Sequence, residues 1–191
     1  MDLTPLQFRI NAIRRETETA KTFELEVVDG RMPDFLPGQF LTFLIRTDRQ
    51  ELRRSYSIAS LPGEPLRVTV KKVTNGLISR FILQHWHVGD VVTALPPAGR
   101  FTLPAQHAVS RDVFCFAAGS GIIPILPQLR SLVPIETQSS FLLVYSNHNE
   151  ADALFLPEIE NLASVHPNFR VICMFSDPAY PRCLAFTKTK H

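Results

Sequence analysis

The stretch Arg53-Arg54-Ser55-Tyr56-Ser57-Ile58-Ala59-Ser60 sets a cation, an aromatic ring and a row of hydroxyls on one short strand-like segment. Strand side chains alternate between faces, so Arg54 and Tyr56 point one way and Ser55 and Ser57 the other. A guanidinium suits a phosphate, because its fork matches two anionic oxygens at once. Tyr56 adds a flat face for a ring and a hydroxyl for a hydrogen bond. Ser57 supplies a small donor that can reach a ring nitrogen. A ligand with an aromatic ring at one end and phosphates at the other, such as a flavin nucleotide, satisfies all three. Taken alone, the segment is an ordinary edge strand with solvated arginines. Two further phosphate-type signals downstream shift the balance.

Composition narrows the classes. The chain has 191 residues, 45% hydrophobic and 20% charged, which fits a globular protein of one large or two small domains. A net charge of +2 is too small to argue for nucleic acid or an anionic membrane surface. The three cysteines, Cys115, Cys173 and Cys183, are too far apart for a disulfide framework, a metal site or a plant-type iron–sulfur cluster. His85 and His87 flank Trp86 with no carboxylate or cysteine cluster to complete a metal site, and read as a surface helix end or loop. The N-terminal stretch has no apolar h-region, so no signal peptide is expected, and the apolar run 121–127 is short and interrupted by Pro124 and Pro127, so no transmembrane helix is expected. The expected compartment is reducing and cytoplasmic.

From residue 6 to about 103 the pattern is one of short strands. Phe23, Leu25 and Val27 alternate with Glu24, Glu26 and Val28, and Leu66, Val68 and Val70 with Arg67, Thr69 and Lys71. This is the period of half-buried antiparallel strands. Pro33, Pro37-Gly38 and Pro62-Gly63 punctuate it, and the more continuously apolar 40–45 reads as central. Such strands close most readily into a small barrel. Phe35, Phe40, Phe43, Phe81 and Phe101 read as its core.

One helix interrupts the strands. Asn75-Gly76-Leu77-Ile78-Ser79 opens a stretch running to about His85, with Leu77, Phe81 and Ile82 expected on the buried side. Gly76 lets a ligand approach the backbone, and Ser79 lies in a first turn whose free amides suit an anion. Asn75 or Ser79 serving as a helix cap is compatible with that use.

After residue 104 the texture changes to apolar strands at 113–117, 141–145 and 169–174. Helical patterns lie between them at 122–132, with Pro124 in the first turn, and at 152–165, with Leu154, Phe155, Ile159 and Leu162 on one stripe. Strand, helix, strand, helix, strand predicts a parallel sheet with crossover helices. Gly119-Ser120-Gly121-Ile122-Ile123-Pro124 joins the first of these strands to its helix, where a pyrophosphate binds in such folds.

In this order the three motifs resemble the ferredoxin–NADP reductase family. Arg54-Ser55-Tyr56-Ser57 is similar to its R-x-Y-[ST] flavin strand, Gly76-Leu77-Ile78-Ser79 to its G-x-x-S phosphate helix, and the stretch Gly119 to Pro124 to its G-x-G-x-x-P nicotinamide-nucleotide loop. The closest likeness is to the reductase component of bacterial oxygenases, without the iron–sulfur domain in this chain. The resemblance implies a six-stranded antiparallel β-barrel FAD domain, residues 1–104, followed by an incomplete parallel α/β NAD(P)-binding domain, residues 105–191. It implies that Arg54 binds the FAD pyrophosphate, Tyr56 packs on the isoalloxazine, Ser57 sits near flavin N5 and Ser55 is among the cofactor-binding residues. Tyr56 and Ser57 would thus be the residues nearest the chemistry. Val70 and Lys71 would run their backbone past the ring and ribityl, and Gly76, Leu77, Ile78 and Ser79 would hold the pyrophosphate from the other side. Gly119, Ser120, Gly121 and Pro124 would form the NAD(P)H loop.

The implied function is transfer of a hydride from NAD(P)H to FAD, then of electrons to a ferredoxin-like or oxygenase acceptor. The alternative is an FAD-binding fragment or regulatory module with little turnover. NADH is favoured, because the strand 169–174 leads to Ser176-Asp177, where a carboxylate repels a 2′-phosphate. Arg170 and Arg182 weigh the other way. The family's sheet has about five strands, its later strand carries a Cys-Gly turn, and a C-terminal aromatic covers the flavin; this sequence offers no counterpart to either feature. Cys183 precedes Leu184, and the tail from about 177 reads as irregular, with Val171 and Cys173 losing cover and the flavin poorly reduced.

Overall fold

The computed structural model describes residues 4–30, 32–46, 50–106, 110–177 and 182–186. The chain divides into two compact units, Met1–Thr102 and Leu103–His191. The first contains β1 (Leu6–Thr17), β2 (Ala20–Val27), β3 (Phe40–Arg46), β4 (Glu51–Ser57), β5 (Leu66–Lys71) and β6 (Val91–Ala98), with α1 (Leu77–His85) between β5 and β6. All its pairings are antiparallel, in the order β4-β3-β6-β1-β2-β5. The two edges of this order meet at a bridge between Ile58 and Val68, where the Ala59 amide donates to the Arg67 carbonyl at 2.7 Å. A sheet bends into a barrel where bulges kink a long strand. The twelve-residue β1 has register shifts at Ile10/Ala12 and Arg15/Thr17.

Alternate residues of these strands fill the barrel. Phe8, Phe23, Leu41, Phe43, Leu66 and Val68 are all fully buried, and Trp86 meets Phe23 and Phe43 edge-on at 5.4 and 5.1 Å. A buried hydroxyl pair, Thr22 and Thr69 at 2.7 Å, ties β2 to β5. Helix α1 keeps Ile82 buried and Phe81 packed against the core, as expected, but turns Leu77 outward. Ile78, Ser79 and Ile82 are buried, Leu77 is 69% exposed, and Phe81 stacks on His85 at 4.5 Å. The Ser79 hydroxyl accepts from the Val73 amide at 3.1 Å, which turns Ser79 and Ile78 inward in place of Leu77. Phe101, expected in the core, is 60% exposed.

The second unit contains β7 (Asp112–Ala118), α2 (Leu126–Leu132), β8 (Ser140–Asn147), α3 (Leu156–Val165), β9 (Phe169–Phe175) and β10 (Arg182–Phe186). β7, β8 and β9 are parallel neighbours in chain order. Right-handed crossovers that step the same way place both helices on one face. Burial follows: Phe141, Leu143, Tyr145, Phe169, Val171 and Cys173 are fully buried, whereas Phe114 and Phe116 of the other face are 63% and 72% exposed. β10 corrects the expected irregular tail. It pairs antiparallel with β9, Cys183 opposite Met174, and Val171 and Cys173 keep their cover. Residues 178–181 and 187–191 of that tail lie outside the described residues.

Both helices start later than their patterns predict. Pro124 and Pro127 lack amide hydrogens, and the chain first makes a 3-10 turn, Gly119–Ile122. Ile123 donates to Ser120 and Ile125 to Ile122, at 3.1 and 3.0 Å, before α2 begins with Pro127 in its first turn. α3 begins only after Phe155, which sits in the left-handed region at φ 59.

A buried ion pair anchors the entry to this unit. Arg111 donates to both Glu136 carboxylate oxygens at 3.0 and 2.7 Å and to the Pro104 carbonyl at 2.9 Å. The Gln106 amide also donates to Glu136, whose side chain is 0% exposed. Burial works against ionisation of Glu136, but the bonds from Arg111, Gln106 and Ser139 outweigh it and hold the carboxyl below its ordinary pKa. Arg111→Ala should therefore strand a buried charge and cost about 3–5 kcal/mol, read as a lower denaturant midpoint at neutral pH. A carboxyl lowered by folding stabilises above its unfolded pKa and loses that contribution as pH falls through the folded value. The gap between wild type and variant should close on acidification, and equal midpoints at neutral pH would contradict this.

Candidate functional site

In the first unit, β4 lies at one end of the strand order with only β3 beside it along its length. Arg54 pairs in register with Phe43 and Tyr56 with Leu41, so both belong to the inward set of the sheet. Tyr56 is half-buried, its ring 6.1 Å from that of Phe43. Burial raises the phenol's pKa, partly offset by the nearby Arg54 charge. The Arg54 guanidinium donates to the Arg53 carbonyl at 2.7 Å and has no carboxylate within ion-pair distance among the described residues. Ser55 and Ser57 lie on the opposite set, and the Ser55 hydroxyl is 2.9 Å from that of Thr42. Val70 is fully buried, leaving only its backbone for a ligand, and Lys71 is half-buried beside it at the end of β5.

The first turn of α1 has no side-chain cap and no acidic residue. Asn75 therefore does not cap it. Ser79 is occupied within the turn, accepting from the Val73 amide and donating to the Gly76 carbonyl at 3.4 Å. Gly76 is required by packing, since a Cβ there would stand 2.7 Å from both the Ser79 hydroxyl and the Val73 Cβ. The uncapped amides of Leu77 and Ile78 are thus the part of this motif left to meet an anion.

In the second unit, the turn after β7 carries two glycines for different reasons. Gly119 sits at φ 50, the left-handed region. Gly121 does not, and a Cβ on it would meet nothing within 4 Å. The fold does not demand glycine at 121, which is what close approach of a ligand to the backbone would require. Ser120 is exposed, and the Pro124 carbonyl accepts from the Gln128 side chain at 2.9 Å.

Residues 7–103 match the family model of an oxidoreductase FAD-binding domain, and residues 116–182 that of an oxidoreductase NAD-binding domain. The chain belongs to the ferredoxin reductase-type family of FAD- and NAD-binding oxidoreductases. It is 34% identical over 163 residues to the ferredoxin reductase component of 3-ketosteroid-9-alpha-monooxygenase from Rhodococcus rhodochrous, covering 83% of this chain and 45% of that protein. It is 34% identical over 145 residues to one of the subunits of the Escherichia coli 1,2-phenylacetyl-CoA epoxidase, covering 74% of this chain and 40% of that one. The chain thus spans less than half the length of these two relatives. Among solved structures, flavohemoglobin from Malassezia yamatoensis shares the fold with a TM-score of 0.82 at 19% identity, over 93% of this chain and 47% of that chain.

Both family cofactors find fitting residues: a guanidinium with no carboxylate partner among the described residues, beside a half-buried ring, for FAD, and an unfilled glycine turn for the nicotinamide nucleotide. Sequence reasoning missed two side chains at the second site. The Tyr145 hydroxyl lies 3.1 Å from the Gly119 carbonyl and 3.3 Å from that of Leu154, which braces the turn. Burial pushes this phenol far above its usual pKa. Asn147 follows on the same buried face. The signal was a phenol and an amide continuing the buried alternation of Phe141 and Leu143. Gly76→Ala should force Ser79 or Val73 to shift and cost about 1–3 kcal/mol. It should also lower retained flavin; a variant equal to wild type in melting temperature and flavin content would show that the turn has room.

Proposed function

We propose that the chain takes a hydride from NAD(P)H onto FAD and passes electrons to a protein acceptor of the ferredoxin-like or oxygenase type. The observation that carries this reading is the Arg54 guanidinium, free of any described carboxylate and beside the half-buried Tyr56. Arg54 would hold the FAD diphosphate with the amides of Leu77 and Ile78, while Gly76, its own amide bonded to the Val73 carbonyl at 2.9 Å, and Ser79 keep the turn in shape. Tyr56 would pack on the isoalloxazine, Ser57 would sit near its N5, and the backbone of Val70 and Lys71 would pass the ring. Bound FAD supplies the hydride-accepting ring and releases electrons singly. The protein's part is to position, exclude water and tune, so no side chain need act as acid or base. Gly119, Ser120, Gly121 and Pro124 would hold the NAD(P)H pyrophosphate. The three unpaired cysteines support a reducing, cytoplasmic setting, and no described helix is long and apolar enough to cross a membrane.

Charge-assisted hydrogen bonds contribute about 1.5–3 kcal/mol each, so Arg54→Ala should weaken FAD binding by about tenfold to a hundredfold. Equal flavin affinity in the variant, by titration of the apoprotein, would sink the assignment.

NADH should be preferred to NADPH. Asp177 follows β9, its amide donating to the His148 carbonyl at 2.8 Å, at the carboxyl ends of the parallel strands. Of the two cations weighing against this choice, Arg182 is ion-paired with Glu150 and lies 5.5 Å from the Phe175 ring centre. Arg170 is the second residue of β9, about 16 Å of strand from its carboxyl end. Stopped-flow flavin reduction by the two nucleotides measures the preference, and faster reduction by NADPH would reverse it.

A further inference from the structure

Asn147 is the last residue of β8, on the face covered by the helices, and is 6% exposed. Neither its Nδ2 nor its Oδ1 has a hydrogen-bond partner among the described residues. The carboxamide lies close enough to the Tyr145 phenol to favour its ionised form as a weak hydrogen-bond partner, but no bond of normal geometry joins the two, and the phenol is within bonding distance of the Gly119 and Leu154 carbonyls. Burying an amide without replacing its water is costly, and native structures seldom leave both ends unpaired. The main chain at this point does not need the side chain. The Asn147 carbonyl accepts from the Ser176 amide at 3.1 Å and the Ser176 hydroxyl at 3.4 Å.

Position and chemistry identify the missing partner. Ligands of open parallel α/β sheets bind at the carboxyl ends of the strands. Asn147 is at such an end, next along β8 on the same face from the tyrosine that braces the Gly119 turn. Its register partner is Phe175, two residues before Asp177. A phosphate only accepts, and would satisfy Nδ2 alone. A sugar hydroxyl donates and accepts, and satisfies both orphaned atoms. We propose that Asn147 is a binding residue for a ribose hydroxyl of the nicotinamide dinucleotide. This rests on the reading of Gly119 to Gly121 as the nucleotide loop, and it adds a contact to the sugar rather than to the phosphates.

The test is calorimetric titration of the full chain, as purified, with ADP-ribose and separately with inorganic pyrophosphate. Wild type, Asn147→Leu and Asn147→Ser are compared, with the melting temperature of each unliganded protein. Both variants should bind ADP-ribose about tenfold more weakly or worse. Pyrophosphate binding should be unchanged and melting not lowered, because the side chain has no hydrogen bond of normal geometry to lose among the described residues. Should the leucine variant fail to fold, the serine variant decides alone. ADP-ribose bound equally by wild type and variants would overturn the proposal and leave the loop reading standing. A wild type that binds no ADP-ribose would overturn both. Variants that melt lower and lose both ligands together would mark Asn147 as structural and overturn the proposal.

Discussion

The bridge between Ile58 and Val68 is the constraint on which the first unit depends. It joins the ends of a strand order that would otherwise remain an open sheet. Closure turns the inward residues of β3 and β5 into one core, with Leu41, Phe43, Leu66 and Val68 fully buried. It also leaves most of β4 without a second strand neighbour. Arg54 and Tyr56 therefore share the inward set of residues while Arg54 stays exposed. A cation can stand on that side of a strand only where the sheet offers no complete cover.

The second unit is built differently. Three parallel strands stepping in one direction give their helices a single face. The covered face carries the large apolar side chains, and at its carboxyl end the polar residues Tyr145 and Asn147. The turn beside them is irregular because Pro124 and Pro127 delay the helix. Here the backbone amides of a glycine turn are presented by a 3-10 segment rather than by the first turn of an α-helix.

The glycines of the motifs illustrate how one residue type answers several demands. Gly76 leaves room for Ser79 and Val73. Gly119 adopts a left-handed φ. Gly121 meets neither condition, and its bare surface is the one of the three that the fold itself does not explain. Identical letters in a motif thus divide between holding the turn and admitting a ligand.

The sequence by itself determined the antiparallel barrel, the parallel half after it and the three motifs, because strand alternation, turn residues and glycine spacing are local. The outward turn of Leu77 in α1 was not local. Leu77 has helical spacing to the half-buried Phe81 and Ile78 to the buried Ile82, and the Ser79 tie to Val73 favours Ile78. Nor was β10, a five-residue segment within a mostly polar tail that becomes a strand by pairing with the edge of β9. Phe101 counted as core by its hydrophobicity, but its place beyond β6 leaves it exposed. At the candidate site the cation and ring were legible in Arg54-x-Tyr56. The orphaned amide of Asn147 was not, because a missing hydrogen bond is a property of every neighbour at once and exists only when the chain is folded.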